Sequence, residues 1–278
     1  MEGAYAVAQI SRLPLVGAGL PGLRWRVAFN AADSYDRFMG RFSRPLAQVF
    51  ADRSDVRAGQ RALDVGCGPG ALTEVLIERL GLDHVEAVDP SPPFVAAVAE
   101  RFPGLTVREG TAEHLPHADA SFDLCLAQLV VHFMPDSVAG LTQMARVTRP
   151  GGTVAAAVWD LTPGARGPVS PFHTAVAEVD PTWVASQTRA GGARGELGEL
   201  FRSAGLGQVE ESVLTAEVAM ASFEDWWEPF LQGVGPAGDY VAGLNEQALR
   251  EVRERARRLL PDGAFTMQVD AWCAVATV

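Results

Sequence analysis

Between Arg61 and Asp160, short apolar runs rich in Val, Ala and Leu alternate with longer stretches whose apolar positions recur every three or four residues. That alternation is the mark of βαβ units around a parallel sheet. RALDVG (61–66) reads as a buried strand, ALTEVLIERL (71–80) as an amphipathic helix, VEAVD (85–89) as a second strand and SPPFVAAVAERF (91–102) as a second helix. LTVREG (105–110) and FDLCLAQLV (122–130) are short and apolar enough for interior strands. SVAGLTQMARVT (137–148) has a helical period, and Pro150-Gly151-Gly152 stops it before TVAAAVW (153–159), a fifth strand.

Past Asp160 the pattern loosens into Gly/Pro/Arg loops at 161–171 and 189–198, with a short helix in GELGELFRSAGL (195–206). VEESVLTAEVAM (209–220) and AFTMQVDAWCAVATV (264–278) alternate as strands do, and FEDWWEPFLQ (223–232) and NEQALREVRERARRLL (245–260) between them read as helices. The expected architecture is a doubly wound α/β domain over residues 28–278, with a helical cap at about 222–261 inserted between the last two strands. Residues 1–27 read as a loose N-terminal extension.

Composition narrows the chemistry. The 278 residues carry 23 basic and 34 acidic side chains, a net charge of −11, and every basic residue is Arg. Without Lys there is no Schiff-base or pyridoxal-phosphate chemistry and no P-loop. An acidic chain without a basic run has no electrostatic means of holding nucleic acid. Cys67, Cys125 and Cys273 lie far apart, so neither a metal site nor a disulfide framework is suggested, and reduced thiols in the cytoplasm fit best. No stretch reaches the roughly 20 apolar residues of a membrane span.

Candidate chemistry sits at the first strand-to-helix turn, Asp64-Val65-Gly66-Cys67-Gly68-Pro69-Gly70, and at Asp89, which closes the second strand. Glycine permits positive φ and close backbone approach by a ligand, and an acid at the next strand's end can accept from ribose hydroxyls. Together they describe a nucleoside site. The Gly-x-Gly-x-Gly spacing departs from the dinucleotide fingerprint Gly-x-Gly-x-x-Gly. Asp64 adds negative charge near the turn, which suits a ligand with amine and sulfonium groups better than a pyrophosphate.

ALDVGCGPG (62–70), VEAVDPS (85–91), GTAEHLPHADASFDLCLAQLVVHF (110–133) and ARVTRPGGTV (145–154) resemble the motif series of class I S-adenosylmethionine (SAM)-dependent methyltransferases. Within that superfamily the chain is most similar to the ubiquinone/menaquinone-biosynthesis-like, methyltransferase type 11, group, over roughly residues 34–160. The resemblance implies a Rossmann-like, mostly parallel seven-stranded sheet with an antiparallel C-terminal strand. It also implies methyl transfer from SAM to an O, N, C or S atom of a small-molecule acceptor by in-line displacement, leaving S-adenosylhomocysteine (SAH), without a metal.

Carried over residue by residue, the resemblance sets Asp64, Gly66, Cys67, Gly68 and Gly70 at the cofactor turn, and Asp89 with Pro90 at the ribose. Phe94 would pack on adenine, with Thr111 and Ala112 at its edge, although the family usually has Asp where this chain has Thr111. Gln128 would lie near the methionyl group. SYDRFMGRF (34–42) resembles the helix that closes over the cofactor, directing Tyr35 and Arg41 towards its carboxylate, a contact for which Arg is well shaped. His132 is the candidate base, with a structural histidine as the alternative. Phe133, Trp226 and Trp227 are candidates for an acceptor wall, with core packing the alternative for the two tryptophans. Two rival functions remain at this level: a SAM- or SAH-binding module without turnover, and a nicotinamide-dependent oxidoreductase, which the glycine spacing disfavours.

Overall fold

The structure is a computed structural model that describes residues 39–162, 164–186, 190–233 and 235–278. The expected extension and Tyr35 lie outside these residues. A seven-stranded sheet has the order β3-β2-β1-β4-β5-β7-β6. It comprises β1 (Ala62–Val65), β2 (Val85–Asp89), β3 (Thr106–Glu109), β4 (Phe122–Gln128), β5 (Thr148–Trp159), β6 (Glu210–Met220) and β7 (Phe265–Thr277). The first five strands are parallel, whereas β7 runs antiparallel to both β5 and β6. This is the doubly wound fold expected from the sequence, with its closing antiparallel strand.

Two apolar layers follow from strand periodicity, since neighbouring side chains point to opposite faces. Leu124, Leu126, Ala155, Ala157 and Trp159 join one core cluster, and Cys125, Ala127, Val154, Ala156 and Val158 join the other. Helix α1 (residues 39–53) covers the first face with Phe42, Leu46 and Phe50, all fully buried at four-residue spacing. Helices α2 (Ala71–Leu80) and α3 (Pro92–Arg101) contribute to the same cluster, while α4 (Ser137–Val147) and α7 (Glu196–Ser203) cover the second face.

Three helices arise where the sequence pattern shows none: α5 (Ser170–Ala177), α6 (Pro181–Ala185) and α9 (Gly235–Ala242). The first two start on a proline in the first turn, where a missing N–H costs nothing, and Asp180 caps α6 by accepting from the amide of Trp183 at 2.9 Å. Helices α8 (Phe223–Leu231), α9 and α10 (Glu246–Arg257) lie between β6 and β7.

Pro150-Gly151-Gly152 also differs from expectation. Helix α4 ends at Val147 and β5 begins at once, pairing Phe122 with Thr148 and then Leu124 with Thr153. Residues 149–152 therefore bulge opposite Asp123. A Cβ on Gly152 would lie 2.7 Å from the Asp123 carbonyl oxygen, so only glycine fits there. No helix among the described residues is long and apolar enough to cross a membrane.

Candidate active site

The carboxyl ends of β1 to β4 bring most of the candidate residues to one edge of the sheet, the place where an open α/β sheet binds ligands. The turn after β1 is tied to the end of β2: the amides of Gly66 and Cys67 both donate to the Val88 carbonyl, at 2.7 and 3.1 Å. Gly66 has φ +72°, and a Cβ there would meet Val130 Cγ2 at 2.4 Å. Gly68 has φ +51°, and a Cβ there would meet nothing within 4 Å. Gly70 opens α2, and a Cβ there would lie 3.0 Å from the Phe102 ring and 3.3 Å from Val98 of α3. One glycine thus clears space for Val130, one faces open space and one packs on α3.

Asp89 lies 5% exposed at the end of β2. Its Oδ2 accepts from the Gly68 amide and its Oδ1 from the Ser91 amide, both at 2.8 Å. Burial pushes its pKa up, and these two bonds pull it down. Each oxygen keeps acceptor capacity, because a carboxylate has about four lone-pair positions. Pro90 is exposed beside it, and Phe94 sits half-buried in the first turn of α3. Beyond β3, exposed Thr111 precedes a short turn in which Ala112 is buried against α4.

Asp64 sits below this surface, 1% exposed, where its Oδ2 accepts from Thr73 Oγ1 at 2.6 Å. Burial raises its pKa to about 7, with the charge of Asp89 adding to the shift and the Thr73 bond opposing it. Cys67 is 6% exposed within the turn, and burial pushes its thiol up, so the residue is a small filler and not a nucleophile. Cys125 and Cys273 are likewise free and buried, the latter held up at about 12.

At the end of β4, Gln128 is 8% exposed and donates from Nε2 to the Ser43 carbonyl on α1 at 2.9 Å. Its Oε1 is buried with no hydrogen-bond partner among the described residues. Leu129 follows with φ +62°, a conformation uncommon for a side-chain-bearing residue, and its amide bonds the Ala157 carbonyl at 2.7 Å. The turn then carries half-buried His132, whose ring lies 4.1 Å from that of Phe133, and Phe133 itself, 65% exposed.

Three candidates are placed otherwise than the sequence suggested. Arg41 does not stand open to a ligand: its guanidinium grips Asp225 of α8 through two bonds, NH1 to Oδ1 at 2.8 Å and NH2 to Oδ2 at 2.7 Å. A carboxylate 184 residues away has taken the bidentate contact. Trp226 and Trp227 form no wall, being 0% and 2% exposed inside an aromatic cluster with Phe172, Phe223 and Phe230. Trp226 Nε1 donates to the Pro168 carbonyl at 2.8 Å, a core contact. Neighbouring helical residues both reach the interior because α8 is buried on more than one side. Thr73, Val130, Ser43 and Asp225 escaped sequence reasoning; only Thr73 left a local signal, as a hydroxyl one turn into the helix behind an acid. A separate cavity of about 540 Å³ lies against β6 and β7, lined by Arg194, Glu211 and Trp272 among others, and shares no residue with the glycine turn.

Residues 63–156, which span this turn, Asp89 and the end of β4, match the methyltransferase domain family. Over 125 residues the chain is 37% identical to malonyl-[acyl-carrier protein] O-methyltransferase of Erwinia billingiae, covering 45% of this chain and 49% of that protein. It is 32% identical to trans-aconitate 2-methyltransferase of Methylobacterium nodulans over 124 residues, covering 45% and 47%. The chain thus spans about half the length of these relatives. A phosphoethanolamine N-methyltransferase of Haemonchus contortus, solved with SAH, shares the fold at TM-score 0.53 and 17% identity, covering 89% of this chain and 59% of that one. The matched residues hold most of β1 to β5, whereas β6, β7 and the helices α8 to α10 fall beyond them.

Proposed function

We propose that this chain binds SAM at the carboxyl ends of β1 to β4 and methylates a small-molecule acceptor, most plainly on the strength of one arrangement: the Asp89 carboxylate, drawn onto the Gly68 and Ser91 amides beside the open face of Gly68. Three features fit an adenosyl ligand with a charged methionine end. Gly68 leaves room for close approach, Asp89 retains acceptor sites for two ribose hydroxyls, and Gln128 Oε1 offers a buried acceptor in need of a donor. The Asp89 carboxylate at the crevice favours a cation over the pyrophosphate of a nicotinamide dinucleotide.

When bound, SAM supplies a methyl group on a sulfonium centre already activated for displacement. The protein's own part is orientation and exclusion of water. Asp89 and the glycine turn hold the donor's ribose side, with Phe94 and the Ala112 amide on its adenine side. The turn at Val131–Phe133 borders the acceptor, with exposed Phe133 giving it an apolar face and His132 within the same turn taking a proton from an acceptor that carries one. A cytoplasmic setting is consistent with three free, buried thiols.

Calorimetric titration of the full chain with SAH, followed by methyl transfer from labelled SAM to a panel of carboxylic acids, phenols, amines and quinones, tests this reading. Saturable SAH binding with methyl transfer to one acceptor class is the expected result. Binding without any transfer would leave a cofactor-binding module, and stabilisation by NAD but not by SAH would remove the reading altogether.

A further inference from the structure

Helix α1 is fastened at residues 41–43 to two different parts of the molecule. On one side the Ser43 carbonyl accepts from Gln128 Nε2 at 2.9 Å, at the end of β4 where the cofactor crevice is placed above. On the other, two residues earlier, Arg41 grips both oxygens of Asp225 and also donates from NH2 to the Ala219 carbonyl at 3.1 Å, where β6 ends. Asp225 Oδ2 accepts a further bond from the Ala221 amide at 2.9 Å, and its own amide donates to Ser222 Oγ at 3.2 Å. The pair therefore locks the connection between β6 and the first turn of α8, not merely two surface side chains. Formation of this contact holds the Asp225 carboxyl below its ordinary pKa, mainly through its bond to Arg41.

The body of α1 is packed against the core as one unit, with Phe42, Leu46, Ala47 and Phe50 fully buried. A helix packed in this way and tied to both the crevice and the cap can pass a displacement from one to the other. Gln128 is the side chain through which such a displacement would enter, since its second polar atom is buried and still lacks a partner among the described residues. Lys could not replace Arg41 here, because the contact uses the planar fork on two oxygens and a carbonyl at once.

We propose that Arg41 and Asp225 are a positioning pair that sets the cap helix α8 through α1, so that occupancy of the crevice at Gln128 is felt at the cap. The inference rests on the cofactor reading given above. Neither residue touches the reacting groups in this scheme, and their effect is on where the cap stands.

The test is amide hydrogen exchange of the full chain with and without saturating SAH, read on peptides covering residues 223–231, alongside SAH calorimetry. In the unaltered protein SAH slows exchange of these amides by about tenfold or more, a coupling between two sites. In Asp225→Asn, SAH still binds within about threefold of the original affinity, yet slowing at α8 falls below about twofold. Arg41→Lys gives the same loss with the charge retained, and serves as the second variant should Asp225→Asn fold poorly. A merely structural pair would speed exchange of α8 equally with and without SAH and leave the ligand-dependent ratio intact, which overturns the proposal. So does an unaltered protein that binds SAH with no change at α8. Failure of the unaltered protein to bind SAH would instead sink the cofactor reading, a separate outcome.

Discussion

Val130 occupies the place a side chain on Gly66 would need: an ideal Cβ there lies 2.4 Å from one methyl and 2.6 Å from the other. The glycine turn and the strand-end turn after β4 are thereby locked together, whereas Gly68, two residues on, faces open space. Substitution should separate these roles. Gly66→Ala should cost roughly 2–5 kcal/mol, the sum of a left-handed backbone penalty and overpacking. Gly68→Ala should cost only about 1–2 kcal/mol of stability and instead weaken SAH binding, because the new methyl fills the approach to the ligand. Urea unfolding and calorimetry on both variants check this; equal stability loss in the two would contradict it.

Asp89 provides the second test. Replacing it by Ala removes a carboxylate expected to receive two ribose hydroxyls, and hydrogen bonds to charged groups contribute about 1.5–3 kcal/mol each. SAH affinity should fall at least tenfold, measured by calorimetry, with the unfolding transition still cooperative. Unchanged affinity would show that the ribose lies elsewhere.

Asp64 makes stability depend on pH in a direction opposite to that of a salt-bridged acid. Its folded pKa, about 7, lies above that of an unfolded Asp near 4. Between those values the folded chain holds a proton that the unfolded chain has released, so stability falls as pH rises through the window and levels off above it. Asp64→Asn keeps an acceptor for Thr73 and cannot ionise. Relative to the original protein it should gain roughly 4 kcal/mol between pH 4 and pH 8, seen in urea unfolding at the two pH values. A difference independent of pH would mean that Asp64 is not the titrating group.

The paired tryptophans should behave unequally. Trp226→Phe strands the Pro168 carbonyl by removing its donor, at about 1–3 kcal/mol beyond the lost volume. Trp227→Phe removes an indole N–H that is buried with no hydrogen-bond partner among the described residues, so it should cost less despite the similar loss of ring. Thermal unfolding compares them, and SAH affinity should be unchanged in both. A larger loss at Trp227 would mean its N–H has a partner such as ordered water.

What could be read from the residues, and what could not, divides along sequence distance. Helix α2 and strand β2 fall on the bounds that periodicity gives, because their apolar spacing and flanking glycines are local signals. Helices α5, α6 and α9 escaped because Pro171, Pro181, Gly235 and Pro236 mimic loop composition, although a proline in a first turn is compatible with a helix. The glycine turn and Asp89 were legible for the same local reason as α2. The partner of Arg41 was not, since nothing near residue 41 announces an acid at residue 225. Neither was the depth of Trp226 and Trp227, because burial of both depends on how α5 packs against α8.

The three thiols are all inside the protein, and two lie in the middle of the sheet. A chain that also has no Lys offers almost nothing for ordinary bioconjugation reagents to attack in its native state. One cysteine engineered on an exposed turn of α10 would then be the sole site for a fluorophore or spin label, with no need to mutate the natural three, and the cap could be watched directly in solution.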